Sequence, residues 1–262
     1  MSECINSLTR QSFEDLEIIC VSTVEELPEE VRKNSEVIVE KRKGVSLAKN
    51  VGIMRANHEL IALTDDDCVC DPDWMKNLVL EFDDEAVGCV TGGTYPTREG
   101  IWYPATNWKP DRRVFAKDQR FVPPWSMGAG NNLCLRKKAI VDVGLFDEEL
   151  GPGTRYRSAE DIDVFHRMTV SGYCVVYTPK ATVRHEPLDT YDQVRKMMSG
   201  YRVGIGAFFA KHKSSRSLRS YFFNDFLRAQ LRDSRNNFLR GNGRMGHIYF
   251  LGFLGALKGY YG

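Results

Sequence analysis

Three groups of residues, in a fixed order along the chain, have the types and spacing to do chemistry. Asp65, Asp66 and Asp67 follow Thr64 and the apolar run Leu60-Ile61-Ala62-Leu63. Glu160 and Asp161 head Glu160-Asp161-Ile162-Asp163, which leads into a segment with helical spacing. His185 closes Ala181-Thr182-Val183-Arg184-His185. Carboxylate oxygens bind the hard cations Mg2+ and Mn2+ well, and a neutral imidazole can complete such a shell. Carboxylates at a strand's end, a later acidic pair and one histidine are what a metal-assisted transfer from a diphosphate uses. About ninety residues separate the first two groups, so they meet only in a folded cleft. Taken singly, each has a plainer reading: a solvated acidic turn, an acidic helix start, a satisfied structural histidine.

The elements that must position these groups follow from the apolar pattern. Strand-like runs cover 16–21, 37–39, 60–63, 87–90, 131–135 and 174–177. Helical spacing covers 2–11, 45–57, 72–82, 137–143 and 159–171. Strands alternating with helices of about ten residues predict an α/β fold, with a mostly parallel sheet flanked by helices on both faces. Ligands then bind beyond the carboxyl ends of the strands, where Asp65, Asp66 and Asp67 stand. Residues 93–130 break the alternation and suit a long loop over an active site. After Asp189 the pattern is helical to the end, with breaks near 213–216 and 241–244. The division this predicts is 1–189 for the α/β domain and 190–262 for a helical appendage.

The chain has 262 residues, 36 Lys and Arg, 35 Asp and Glu, and a net charge of +1. Residues 1–190 hold 23 basic against 32 acidic side chains, and residues 191–262 hold 13 against 3. An acidic body therefore carries a basic tail. The tail sets its Lys and Arg beside large apolar residues, a composition that suits peripheral membrane contact through 190–262. Nucleic acid is not an expected partner. The seven cysteines, at 4, 20, 68, 70, 89, 134 and 174, have no CxxC spacing, so they read as buried free thiols. Cys68 and Cys70 flank Val69, a spacing that aims both side chains to one face of a strand. With no signal peptide and no apolar run of about 18 residues, a cytoplasmic location is expected, at most peripheral at the inner membrane face.

The ordered motifs go further. They are Ser7-Leu8 with Gln11, Glu17-Ile18-Ile19, Gly44-Val45-Ser46-Leu47-Ala48-Lys49-Asn50, and Thr64-Asp65-Asp66-Asp67 with Asp71-Pro72-Asp73-Trp74. Gly130-Asn131-Asn132, Gly144-Leu145-Phe146-Asp147, Glu160-Asp161-Ile162-Asp163 with Arg167, and Pro179-Lys180-Ala181 before His185 complete the set. In that order they resemble the family 2 glycosyltransferases, inverting enzymes of the GT-A fold, to about residue 190.

The resemblance implies a nucleotide-sugar donor, UDP-linked as the default, with Mn2+ or Mg2+ as cofactor and a glycan or lipid-linked acceptor. It places Asp65 by the ribose, Asp67 and His185 on the metal, and Asp66, Lys49, Asn50 and Ser22 around the donor. Asp161 takes the family's base position, with Glu160 beside it. Gly130, Asn131, Asn132 and Trp125 fall to the acceptor, and Trp108 and Tyr103 could likewise stack on sugar rings. Lys49 stands where the family more often has Arg, which keeps the charge and loses the planar fork. Val21-Ser22-Thr23 replaces the usual acidic residues after the second strand. Family members also open with a strand and a Pro-Thr-x-Asn-like loop, whereas Met1 here falls at the start of the following helix. A start assigned too far downstream, or a fragment, is the expectation. Its alternative is a truncated, weak or inactive GT-A-like interaction module. A sugar nucleotidyltransferase would need a Gly-rich phosphate loop near the N-terminus, and a glycoside hydrolase would leave the metal signature without a purpose.

Overall fold

The computed structural model describes residues 1–100, 109–117 and 121–262. The chain divides into two compact units, Met1–Asp147 with Asp161–Leu188, and Glu148–Glu160 with Asp189–Gly262. Trp108 and Tyr103 lie outside the described residues.

The first unit runs α1 (Ser2–Leu8), β1 (Ile19–Ser22), α2 (Glu29–Asn34), β2 (Glu36–Val39), α3 (Val45–Arg55), β3 (Leu60–Thr64), β4 (Cys68–Cys70) and α4 (Trp74–Val79). It continues through β5 (Val87–Pro96), β6 (Arg113–Phe115), β7 (Asn132–Arg136), α5 (Lys137–Asp142), α6 (Glu160–Val170, the first residue of which belongs to the second unit) and β8 (Cys174–His185). β1 and β2 form a parallel pair of their own, and the other strands make a six-stranded sheet ordered β3-β7-β5-β8-β4, with β6 also on β8.

The sheet is mixed where a mostly parallel one was expected. β5 and β8 run parallel, while β3 with β7, β5 with β7, β4 with β8 and β6 with β8 run antiparallel. A parallel neighbour needs a long crossover, usually a helix. The parallel pair β5 and β8 has α5 and α6 between its strands in the chain, whereas β4, three residues after β3, pairs not with it but with β8. The long segment expected as loop also keeps regular structure at its start and within it, because β5 runs on to Pro96 and β6 forms at Arg113–Phe115.

Strand alternation sorts the core into two layers. Cys89, Leu133, Leu135, Val175 and Tyr177 face one way, against Ile53 of α3, Ile140 of α5 and Val164, Phe165 and Met168 of α6. Val90, Cys134 and Val176 face the other, against Trp74 and Leu78 of α4 and Cys68 and Cys70 of β4. Each fully buried Leu, Val or Phe contributes about 1.5–3 kcal/mol, so both faces are committed to the interior. All seven cysteines are free thiols, five of them buried.

One irregularity matters for the site. Gly92 pairs with Thr178 and Gly93 with Thr182, so β8 bulges outward over Pro179, Lys180 and Ala181. Asn132 fills the break: its Nδ2 donates to the carbonyls of Gly93 (2.9 Å) and Ala181 (3.1 Å), and its Oδ1 accepts from Trp74 Nε1 (2.8 Å). A Cβ at Gly92 would sit 2.0 Å from the Ala181 oxygen, so only glycine fits beneath the bulge. Each buried polar group orphaned here would cost about 1–3 kcal/mol.

The second unit contains α7 (Tyr191–Lys211), α8 (Arg216–Tyr221), α9 (Leu227–Leu239) and α10 (Gly243–Tyr261), with a π-helical turn at Phe222–Phe226. Thr190 caps α7 through a capping box with Gln193. α7 and α10 touch backbone to backbone, since a Cβ at Gly206 would meet the Ala256 oxygen at 2.0 Å and one at Gly259 the Val203 oxygen at 1.9 Å. Among the described residues no helix is long and apolar enough to cross a membrane.

Candidate functional site

Strand registers gather the chemistry at one edge of the six-stranded sheet. Thr64 ends β3 opposite Asn132, which begins β7; Cys68 begins β4 opposite His185, which ends β8; and Pro96 ends β5 opposite the same His185. Asp65, Asp66 and Asp67, the glycines before β7 and His185 therefore leave the sheet at the same edge.

The segment between β3 and β4 is a tight turn closed by Cys68 N–H donating to the Asp65 carbonyl (3.1 Å). Asp66 and Asp67 are the exposed corner of that turn, and Asp65 is half-buried. The Cys4 thiol also donates to the Asp65 carbonyl (3.4 Å), tying α1 beneath it.

Asp67 Oδ1 stands 3.5 Å from His185 Nε2. The other imidazole nitrogen, Nδ1, lies 2.8 Å from the Glu186 carbonyl, and donating its proton there leaves the Nε2 lone pair on the Asp67 side. Ligand atoms of Asp67, Cys68 and His185 all lie within 4.8 Å of one another. Carboxylate oxygen suits Mn2+ or Mg2+ and a neutral imidazole can complete such a shell, whereas the Cys68 thiol, kept protonated by burial and by the nearby Asp65 and Asp67, donates toward Asp67 Oδ1 (3.9 Å) and is no ligand for a hard cation. The cross-strand pairing of Cys68 with His185 is what brings the thiol in. Alternation put Cys68 on one face of a strand, but not which residue lay opposite.

A second cluster forms at Gly130. Its N–H donates to Asp161 Oδ2 at 2.8 Å. A Cβ there would sit 3.1 Å from Lys49 Nζ and 3.3 Å from Asp161 Oδ2, so glycine makes room for these two side chains and not for an acceptor alone. Lys49 Nζ also lies 5.3 Å from the Phe146 ring centroid, within cation–π range. Asp161 is half-buried near the start of α6, and its Oδ1 accepts the Ile162 N–H (2.8 Å). Two residues further on, buried Asp163 pairs with Arg167 (2.7 Å), whose guanidinium also donates to the carbonyls of Val143 and Leu145. Part of the acidic motif is thus structural. Glu160 is 7% exposed.

Some expected site residues are occupied by structure. Asn132 is fully buried with its carboxamide bonded as described above, so its expected contact with an acceptor is corrected. Asn50 is buried in α3 and exchanges two 2.9 Å hydrogen bonds with the backbone of Phe146, locking α3 to that turn. Ser22 ends β1, in the two-stranded sheet, and its Oγ accepts the Val24 N–H (3.1 Å). Trp125 is half-buried in the turn Pro124–Ser126. Asn131 differs from Asn132: its Oδ1 accepts from Thr94 (3.2 Å), while its Nδ2 is buried without a hydrogen-bond partner among the described residues.

Comparison with known proteins bears on family and fold. The family model described as glycosyl transferase family 2 matches residues 1–144. A glucosyl-dolichyl phosphate glucuronosyltransferase of Haloferax volcanii is 23% identical over 202 residues, 71% of this chain and 64% of the relative. A pre-mycofactocin glycosyltransferase of Mycobacterium tuberculosis is 28% identical over 149 residues, 55% of this chain and 30% of that one. The chain thus spans less than two thirds of the length of these curated relatives. Among solved structures, mannosyltransferase PcManGT from Pyrobaculum calidifontis, in complex with GDP-Man and Mn2+, superposes with a TM-score of 0.66 at 15% identity, covering 97% of this chain and 82% of that one. S. aureus TarS 1-349 in complex with UDP gives 0.55 at 13% identity, covering 99% and 86%. These likenesses establish the GT-A fold.

Proposed function

Because the chain belongs to glycosyl transferase family 2, we propose that it moves one sugar from a nucleotide-diphosphate donor to an acceptor hydroxyl, with inversion at the anomeric carbon. The observation that carries this reading is the convergence at one sheet edge of Asp67 and His185 with the Lys49–Gly130–Asp161 cluster.

In the proposed reaction Asp161 accepts the proton of the acceptor hydroxyl. The hydroxyl oxygen forms its bond to the anomeric carbon as the bond to the diphosphate breaks, and the diphosphate leaves with the electron pair. Gly130 N–H, donating to Oδ2, orients that carboxylate for the task. Asp67 and His185 would hold Mn2+ or Mg2+, which would supply positive charge against the departing phosphates. Lys49 adds a fixed positive charge; Asp65 takes the ribose in this reading, and Asp66 supports the donor. Asn50 acts through the Phe146 turn, as a positioning residue. Asn131 offers a buried N–H that a substrate oxygen would satisfy, and Trp125 a ring beside it in sequence. Glu160 stands next to the base in sequence, as a supporting carboxylate.

The Haloferax relative named for a dolichyl phosphate supports a lipid-linked acceptor, and a role in polysaccharide, glycolipid or cell-surface glycan synthesis. A UDP-sugar is the first donor choice. GDP-Man, seen bound in the Pyrobaculum structure, makes GDP-sugars the second. The test is a panel of UDP-, GDP- and dTDP-sugars assayed for nucleoside diphosphate release with Mn2+ present. The expected result is release from one nucleotide class well above the protein-free control. No release from any of them would leave the inactive-module alternative in its place.

A further inference from the structure

The outer stripes of α9 and α10 carry a composition that the transfer reaction does not use. Along α9 the exposed positions are Arg228, Leu231, Arg232, Arg235, Phe238 and Leu239, spaced three and four residues apart on one helical stripe. Leu227, Gln230 and Ser234 occupy the buried side of the same helix. α10 repeats the arrangement with Arg244, His247, Phe250, Leu254, Lys258 and Tyr261 exposed, while Ile248, Gly252 and Ala256 are buried.

Large apolar residues in these stripes are open to solvent: Leu231 43%, Phe238 52%, Leu239 76%, Phe250 43% and Leu254 45% exposed. Single exposed apolar residues need no explanation, but a repeated set on a two-helix hairpin does. The charge beside them is of one sign. Residues 227–261 contain Arg and Lys at 228, 232, 235, 240, 244 and 258, with one acidic residue, Asp233, which pairs with Arg232 at 3.2 Å. Arg228 and Arg235 form no ion pair among the described residues.

We infer that the outer face of the α9–α10 hairpin docks on an anionic lipid surface, its arginines at the headgroups and Leu231, Leu239, Phe250 and Leu254 at the acyl boundary. A purely ionic partner, such as a nucleic acid, would leave the exposed Leu and Phe side chains unaccounted for. A neutral apolar partner would leave the arginines so. Interleaved Arg and large apolar side chains on a helix face match a bilayer interface, where both find their medium. Among the described residues no helix is long and apolar enough to cross the membrane, so the proposed contact is along the surface. Such docking would hold the protein beside a lipid-linked acceptor. The docking surface does not depend on the transfer reaction.

The experiment is flotation of the full chain with phosphatidylcholine vesicles and with vesicles of equal parts phosphatidylcholine and phosphatidylglycerol. The expected result is flotation with the mixed vesicles only. Each arginine near an anionic surface is worth roughly fivefold in partitioning, so Arg228→Gln/Arg235→Gln/Arg240→Gln should weaken binding by about 100-fold. Leu231→Ser/Leu239→Ser/Phe250→Ser should lose flotation at high salt, where ionic attraction is screened and apolar insertion remains. These positions are exposed, so circular dichroism should match the parent. The inference is overturned if the parent chain stays at the bottom with mixed vesicles, or if it binds heparin without floating. It is equally overturned if the arginine variant floats undiminished. Nucleoside diphosphate release from donor in solution should be unchanged in both variants, so failure here and failure of the transfer reading remain distinguishable.

Discussion

Asp161→Asn should lower turnover by roughly 10²-fold or more while leaving donor affinity within a few-fold, the scale expected when a general base is lost. The substitution keeps size and shape, and its one amide oxygen can still accept from either Gly130 N–H or Ile162 N–H, so the local fold should hold with the loss of one hydrogen bond. What disappears is the capacity to take the acceptor's proton. Because the loss falls on the chemical step, kcat should fall and the KM for donor should barely move. Steady-state kinetics on nucleoside diphosphate release reads both quantities. An unchanged kcat would place the base elsewhere, and Glu160→Gln would be the next substitution to measure.

Chelation should be at least as damaging. Addition of EDTA should abolish nucleoside diphosphate release, and excess Mn2+ or Mg2+ should restore it. Asp67→Ala should show little activity at any cation concentration, because it removes an oxygen 3.5 Å from His185 Nε2 and leaves imidazole and thiol alone. A diphosphate leaving group carries charge that a bound cation would balance together with Lys49. Loss of the cation therefore acts on the step itself. Since Asp67 is exposed, its replacement should not disturb folding. Full turnover by the variant in EDTA would remove the metal from the account.

Much of this architecture was legible in the sequence because its signals are local. The apolar run before Asp65 predicts β3, and Pro72 with Trp74 predicts α4. The breaks near 213–216 and 241–244 fall where α7 ends and α10 begins. Strand direction was not legible, because parallel and antiparallel neighbours share the same apolar alternation and differ only in the connection. Nor did a run such as Gly130-Asn131-Asn132 disclose that its adjacent amides have different tasks. Asn132 plugs the β8 bulge and Asn131 does not, which depends on Gly92 and Ala181, residues far away in sequence. Cys68 stands beside Asp67 and His185 for the same reason, through a cross-strand partner that only the register reveals. The 65–67 turn likewise depends on a hydrogen bond that alternation alone does not predict.

The configuration of the new glycosidic bond tests the central claim most directly. With an α-linked sugar nucleotide as donor, the anomeric proton of the transferred sugar in the glycoside product should be read by NMR. A base at Asp161 acting opposite the departing diphosphate predicts a β-configured product. An α-configured product would contradict single-displacement transfer and with it the role given to Asp161.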